Sequence, residues 1–122
     1  MEFKIDTKEK FKIFTPLFEN LDDNLANELS NQCLLALESP VKNIVLNLSI
    51  VKVITEKASN TLNALSQKFY DLNSSFVICN IDNDVEAFLD NLEILETLNT
   101  TPTESEAMDI VQIEEIEREL FD

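Results

Sequence analysis

The chain has 122 residues, with 24 Asp and Glu against 9 Lys and Arg, no His, no Gly and 44% hydrophobic residues. That length and apolar content suit one domain with one core. A formal net charge of −15 argues against nucleic-acid binding, which needs a surplus of Lys and Arg for the phosphates, and against docking on anionic lipid.

The same charge is compatible with a basic protein partner or with a solubilising surface. Without His the usual general base and commonest metal ligand are missing. Without Gly neither common glycine-rich phosphate loop can form, and tight turns fall to Asn and Asp. Carboxylate pairs such as Asp22 with Asp23, or Glu114 with Glu115, could in principle do acid–base work. Nothing else in the sequence marks a pocket for them. The expectation is a protein that is not an enzyme, with no catalytic residue, metal or cofactor.

The opening MEFKIDTK lacks the apolar core of a secretory leader. No apolar run approaches the roughly 20 residues of a membrane span. Cys33 and Cys79 fall in helix-like and strand-like patterns and read as small hydrophobes. That predicts reduced thiols and a cytoplasmic setting.

Met1 to Thr7 alternates, with Phe3 and Ile5 on one face, and Lys10 to Thr15 does the same with Phe11 and Ile13. With the polar Lys8-Glu9 between them, these predict a β-hairpin laid on the core. Pro16 limits the second strand. Leu17 to Leu21 reads as a connection. Asp22 or Asp23 can cap a helix to about Ser39, with Leu25, Leu29, Cys33 and Leu37 as its stripe, widened by Ala26 and Leu34. Pro40 ends it.

Asn43 to Leu48 is an apolar run of the kind a strand buried on both faces needs. A short strand-like piece, Val51 to Ile54, follows. Thr55 is a good N-cap for a second helix, with Glu56 near the positive end of its dipole. Ala58, Leu62, Leu65, Phe69 and Leu72 form the stripe of that helix. Ser75 to Ile81 predicts another buried strand. Asp82 caps a third helix with Val85, Phe88, Leu89 and Leu92 inward. Leu95 to Thr100 reads as a last short strand. Thr103 and Glu106 form a capping box for a fourth helix, whose predicted buried face is Ile110, Ile113, Ile116 and Leu120.

The order ββαβαβαβα predicts an α/β fold with a mixed, mostly parallel sheet and about four helices. No internal repeat or dividing linker breaks the chain, so a single domain over residues 1–122 is expected. Four of the nine cations lie in the first twelve residues, and thirteen acids but no base lie between Lys68 and Arg118. The third and fourth helices therefore present a negative surface, read either as a solvated face or as a docking face for a basic partner. Phe14, Phe18 and Phe121 find no obvious place in the core. A homodimer would bury them.

Three segments resemble the STAS domain, the fold of bacterial anti-sigma factor antagonists. NIVLNLS (Asn43 to Ser49) resembles the central strand of that family. SFVICNIDNDVEAFLDNLEILETL (Ser75 to Leu98) resembles the strand, helix and next strand that follow. ENLDDNLANEL (Glu19 to Leu29) resembles the turn into the first helix, with Glu19 where Gly is usual. The resemblance spans nearly the whole chain, through hydrophobic patterns whose joint order carries it.

The family's functional motif, Asp-Ser-Ser/Thr-Gly, opens the helix after the central strand, and a kinase-type anti-sigma factor phosphorylates its second hydroxyl residue. An ungapped count places the motif on Thr55-Glu56-Lys57-Ala58. Every position departs, and Lys57 stands at the phosphoacceptor and cannot form the ester. The resemblance therefore implies a regulatory protein-binding domain with a degenerate phosphosite. The family's binding face maps onto Glu19, Asn20, Asp22, Thr55, Glu56, Lys57, Ser59, Asn60 and Asn63, the last three on the polar side of the second helix. The partner implied is an anti-sigma factor or related kinase-type regulator. The alternative is an assembly module, acting as a homodimer or as a subunit of a larger signalling complex.

Overall fold

A computed structural model describes residues 2–121. Met1, the expected start of the first strand, and Asp122 lie outside the described residues. In chain order the elements are β1 (Phe3–Thr7), β2 (Phe11–Pro16), β3 (Asn20–Leu21), α1 (Asp23–Ala36), β4 (Asn43–Asn47), β5 (Val53–Ile54), α2 (Glu56–Asp71), β6 (Phe76–Cys79), α3 (Asn83–Asn91), a 3-10 turn (Leu95–Thr97), β7 (Thr100–Thr101) and α4 (Glu104–Phe121).

The apolar run around Ile44 becomes β4, the middle of a five-stranded sheet ordered β1-β2-β4-β6-β7. Ile44, Val45 and Leu46 are fully buried because helices cover both faces. Strand β1 is antiparallel to β2, while β2, β4, β6 and β7 run parallel, with Phe14 opposite Leu46 and Leu46 opposite Ile78. On one face Phe14, Ile44, Leu46 and Ile78 pack with α1, α2 and α3 through residues such as Leu29, Leu62 and Leu89. On the other face Phe11, Ile13, Val45, Val77 and Cys79 pack with Ala107 and Val111 of α4. Both cysteines are free and buried, and burial pushes each thiol up to about 12.

Several sequence expectations are corrected. The Leu17 to Leu21 connection contains β3, which pairs in parallel with β5 as a separate two-stranded sheet. Helix α1 ends at Ala36 rather than Ser39, closed by tight turns from Glu38 N–H to Leu35 and Ser39 N–H to Ala36. Leu72 is exposed, because α2 stops just before it. Phe88 is exposed as well. The expected strand from Leu95 is a 3-10 turn followed by the two residues of β7. Ile5 is exposed on the edge strand.

Phe14 is core, and Phe18 packs edge-on against Phe3 at 5.6 Å. Only Phe121 of the three unplaced aromatics stays out in solvent. The largest departure is α4, where Ile113, Ile116 and Leu120 point outward and Ala107 and Val111 face the sheet.

With no glycine, the left-handed positions fall to Asn73, Asn80 and Glu93. Asn73 and Glu93 each follow a helix end. Ser74 N–H donates to Phe69 and Asn73 N–H to Tyr70; Ile94 N–H donates to Leu89 and Glu93 N–H to Asp90. Both ends are Schellman motifs, which satisfy the last helix carbonyls.

Candidate functional site

Parallel strands deliver the N-termini of the following helices to one end of the sheet. At that end Thr55 caps α2, its Oγ1 accepting from Ala58 N–H at 3.1 Å and donating to Asp23 Oδ1 at 2.6 Å. Asp22 caps α1, accepting from Leu25 N–H at 2.9 Å. One threonine hydroxyl therefore ties two helix starts together. Glu56 and Asp23 add negative charge in the two first turns, which suits the positive helix ends.

The small sheet sets this end in place. The Glu19 carbonyl accepts from Lys52 N–H at 2.7 Å and Val53 N–H at 3.0 Å, and Thr55 N–H donates to the Leu21 carbonyl at 3.2 Å. Asn20 lies beside Val53 in the β3–β5 register. Leu21 and Ile54 point into the core, so Asn20 and Val53 face solvent. Lys52 reaches the α3 cap, with Nζ 3.4 Å from Asp82 Oδ1, while Asp82 accepts from Asp84 N–H.

The structure thus brings Glu19, Asn20, Asp22, Thr55, Glu56, Lys57 and Asn60 to one end. Of these, Asp22 and Thr55 are half-buried and engaged as caps, and the other five are exposed. Two expected residues fall elsewhere. Ser59 is fully buried rather than on the polar side, and its Oγ donates to the Thr55 carbonyl at 2.9 Å. Periodicity explains it, because Ser59 follows Ala58 onto the face that also buries Leu62. Asn63 lies two turns along α2, where its Oδ1 accepts from Thr97 Oγ1 at 2.6 Å.

Sequence reasoning missed Val53, an apolar side chain 56% exposed in the middle of the site. The short Val51 to Ile54 signal was visible, but its pairing partner β3 was hidden in a connection. The sequence offers Asp23 as a possible cap or as half of a carboxylate pair, and its bond to Thr55, 32 positions away, is not visible there. Among the described residues no group of three or more His, Cys, Asp or Glu could hold a metal ion, and no helix is long and apolar enough to cross a membrane.

The family model for the STAS domain matches residues 3–107. The chain belongs to the STAS domain family. Solved structures share its fold at low identity. TM1081 of Thermotoga maritima, a candidate anti-sigma factor antagonist, superposes with TM-score 0.80 at 21% identity, covering 90% of this chain and 94% of that one. A variant of RsbS from Moorella thermoacetica gives TM-score 0.76 at 18% identity, covering 92% and 96%. SpoIIAA, a Bacillus cell fate determinant, in its phosphorylated form gives TM-score 0.66 at 13% identity, covering 90% and 99%. No curated protein matches the chain. Within this STAS domain, the N-terminus of α2 is the position at which the family motif was counted.

Proposed function

We propose that this STAS domain is a non-enzymatic regulatory module that binds a protein partner through the end built from β3, β5 and the start of α2, without a phospho-switch. The observation that carries the reading is the state of the hydroxyls around that helix start. Lys57, at the motif's phosphoacceptor position, is an exposed amine. Ser59 is fully buried, and the Thr55 hydroxyl is committed to Ala58 and Asp23. A kinase needs a free hydroxyl whose phosphate the helix N-terminus can receive, and none is presented there. Binding is then constitutive or set by the state of the partner.

Candidate contacts are Glu19, Asn20, Glu56, Lys57 and Asn60, with Val53 as an apolar anchor among them; buried or half-buried apolar anchors surrounded by polar contacts are the usual design of an interface. By likeness to anti-sigma factor antagonists, the partner is an anti-sigma factor or kinase-type regulator in a bacterial cytoplasm, and the role is control of transcription. A single domain over the whole chain belongs to the same reading.

The test is affinity capture from the source cells with mass-spectrometric identification, using the native chain and a Glu19→Arg, Lys57→Glu variant. A protein retained by the native chain and lost from the variant supports the reading. A partner retained equally by both contradicts the assignment of this end.

A further inference from the structure

Helix α4 packs Ala107, Met108, Ile110 and Val111 against the sheet but turns three large apolar residues away from it. Ile113, Ile116 and Leu120 recur at i, i+3 and i+7, so they form one stripe. Ile113 and Ile116 are each 55% exposed and Leu120 is 71% exposed. The side of the helix turned to the sheet carries Ala107 and Val111 in its first half. In its second half polar groups do the attaching. Arg118 Nη2 donates to Asn43 Oδ1 at 3.0 Å, Ser75 Oγ at 3.1 Å and Glu115 Oε2 at 2.8 Å. Ser75 Oγ donates to Glu114 Oε1 at 2.6 Å. The stripe is therefore not a misplaced core face, since another set of contacts already holds the helix.

Beside the stripe, a groove of about 580 Å³ separates the ends of α2 and α4. Its walls include Tyr70 and Phe121, which are 77% and 83% exposed; its acids are Asp71, Glu114 and Glu117, against one base, Arg118, which also lines it. Aromatic faces combined with carboxylates favour a cationic side chain. Helix α4 carries seven acids and one base, and that base, Arg118, is tied inward. Asp109 and Glu117 have no ion-pair partner among the described residues.

We propose that the outward face of α4 and this adjoining groove form a second docking surface, whose occupant is a basic amphipathic helix of a partner protein. Leucine-type residues of that helix cover Ile113, Ile116 and Leu120, and its Lys or Arg residues meet the acidic rim and enter the groove. A second copy of this chain fits poorly. Stripe-on-stripe pairing would set one acidic helix against another, and like charges across an interface oppose association. The surface runs along α4 to the C-terminal end of α2, whereas the end proposed above is built at the N-terminus of α2, so the two are separate and this proposal does not rest on that one.

The probe is a fluorescent synthetic peptide of about 18 residues, the length of α4, with Leu at i, i+3 and i+7 and Lys elsewhere. Anisotropy titrations compare the full chain with its Ile113→Ser, Ile116→Ser, Leu120→Ser variant, which changes no charge, and with Val53→Ser on the far end. The expected result is binding that falls by about tenfold or more in the triple variant, stays unchanged in Val53→Ser, and vanishes for a peptide with Glu replacing Lys. Amide shifts of the unmodified chain should move along α4 and around Tyr70, which tests the site without relying on the variant's fold. Equal binding by the triple variant, or shifts scattered over the acidic surface, would show mere attraction to a −15 chain and overturn the proposal. So would a concentration-dependent dimer of the native chain that the triple variant abolishes, because the occupant would then be a second copy.

Discussion

Single residues set the geometry of the candidate site. Thr55 supplies both the α2 cap and the link to Asp23. Thr55→Val keeps the shape but removes the hydroxyl. It should lower stability by about 1 to 2 kcal/mol, the loss of a cap with some added cost for Asp23, read as a shift in urea midpoint. Glu93 is the opposite case. Its φ of 60° costs a residue with a Cβ about 1 kcal/mol. Glu93→Gly should raise stability by up to about 1 kcal/mol, since glycine enters this region freely and the end-of-helix bonds remain. An unchanged or lowered thermal midpoint would count against the left-handed assignment. The need for such residues was legible in a glycine-free sequence, and Asn73 met it as expected. Glu93 was not legible, because no propensity marks Glu for a left-handed cap.

At the level of elements, burial decided what the sequence could tell. Strand β4 was readable because both faces are covered, so its residues are uniformly apolar. Leu46 is fully buried against strands and helices, and Leu46→Ala should cost about 2 to 5 kcal/mol in a denaturation curve. Helix α4 misled in its second half, because Ile113, Ile116 and Leu120 face outward while polar pairs hold that half to the sheet; of the expected stripe only Ile110 packs on the core. The pairs that reach the sheet join residues far apart in the chain, 39 positions for Glu114 with Ser75 and 75 for Arg118 with Asn43, and periodicity cannot see them. They also predict a pH dependence. The hydrogen bond from Arg118, with help from Asn43, holds Glu115 below the usual carboxylate range. A lowered folded-state value means that the contribution is present above the ordinary carboxylate range and is lost as pH falls through the lowered one. Glu115→Gln should therefore lower the urea midpoint at neutral pH, with the gap to the native chain closing in strong acid. A gap that persists unchanged at low pH would show that the ionised pair does not fasten α4.

Over the whole molecule, the order of strands and helices carried the fold, and the family match over residues 3–107 agrees with the resemblance read from three segments. The site was only partly legible. Glu19, Asn20, Thr55 and Lys57 were placed by counting along a pattern, and the structure gathers them at one end. Val53 and the burial of Ser59 depend on how β3 pairs with β5 and how α2 is rotated, which only the assembled chain settles. The central claim is that the family's switch position is chemically silent here. Intact-mass spectrometry of protein from its native cells, with peptide mapping across Val53 to Lys68, tests it most directly. The account predicts no phosphate on Thr55 or Ser59 under conditions in which the partner is bound and released. Substantial phosphate on either hydroxyl that weakens partner binding would contradict it.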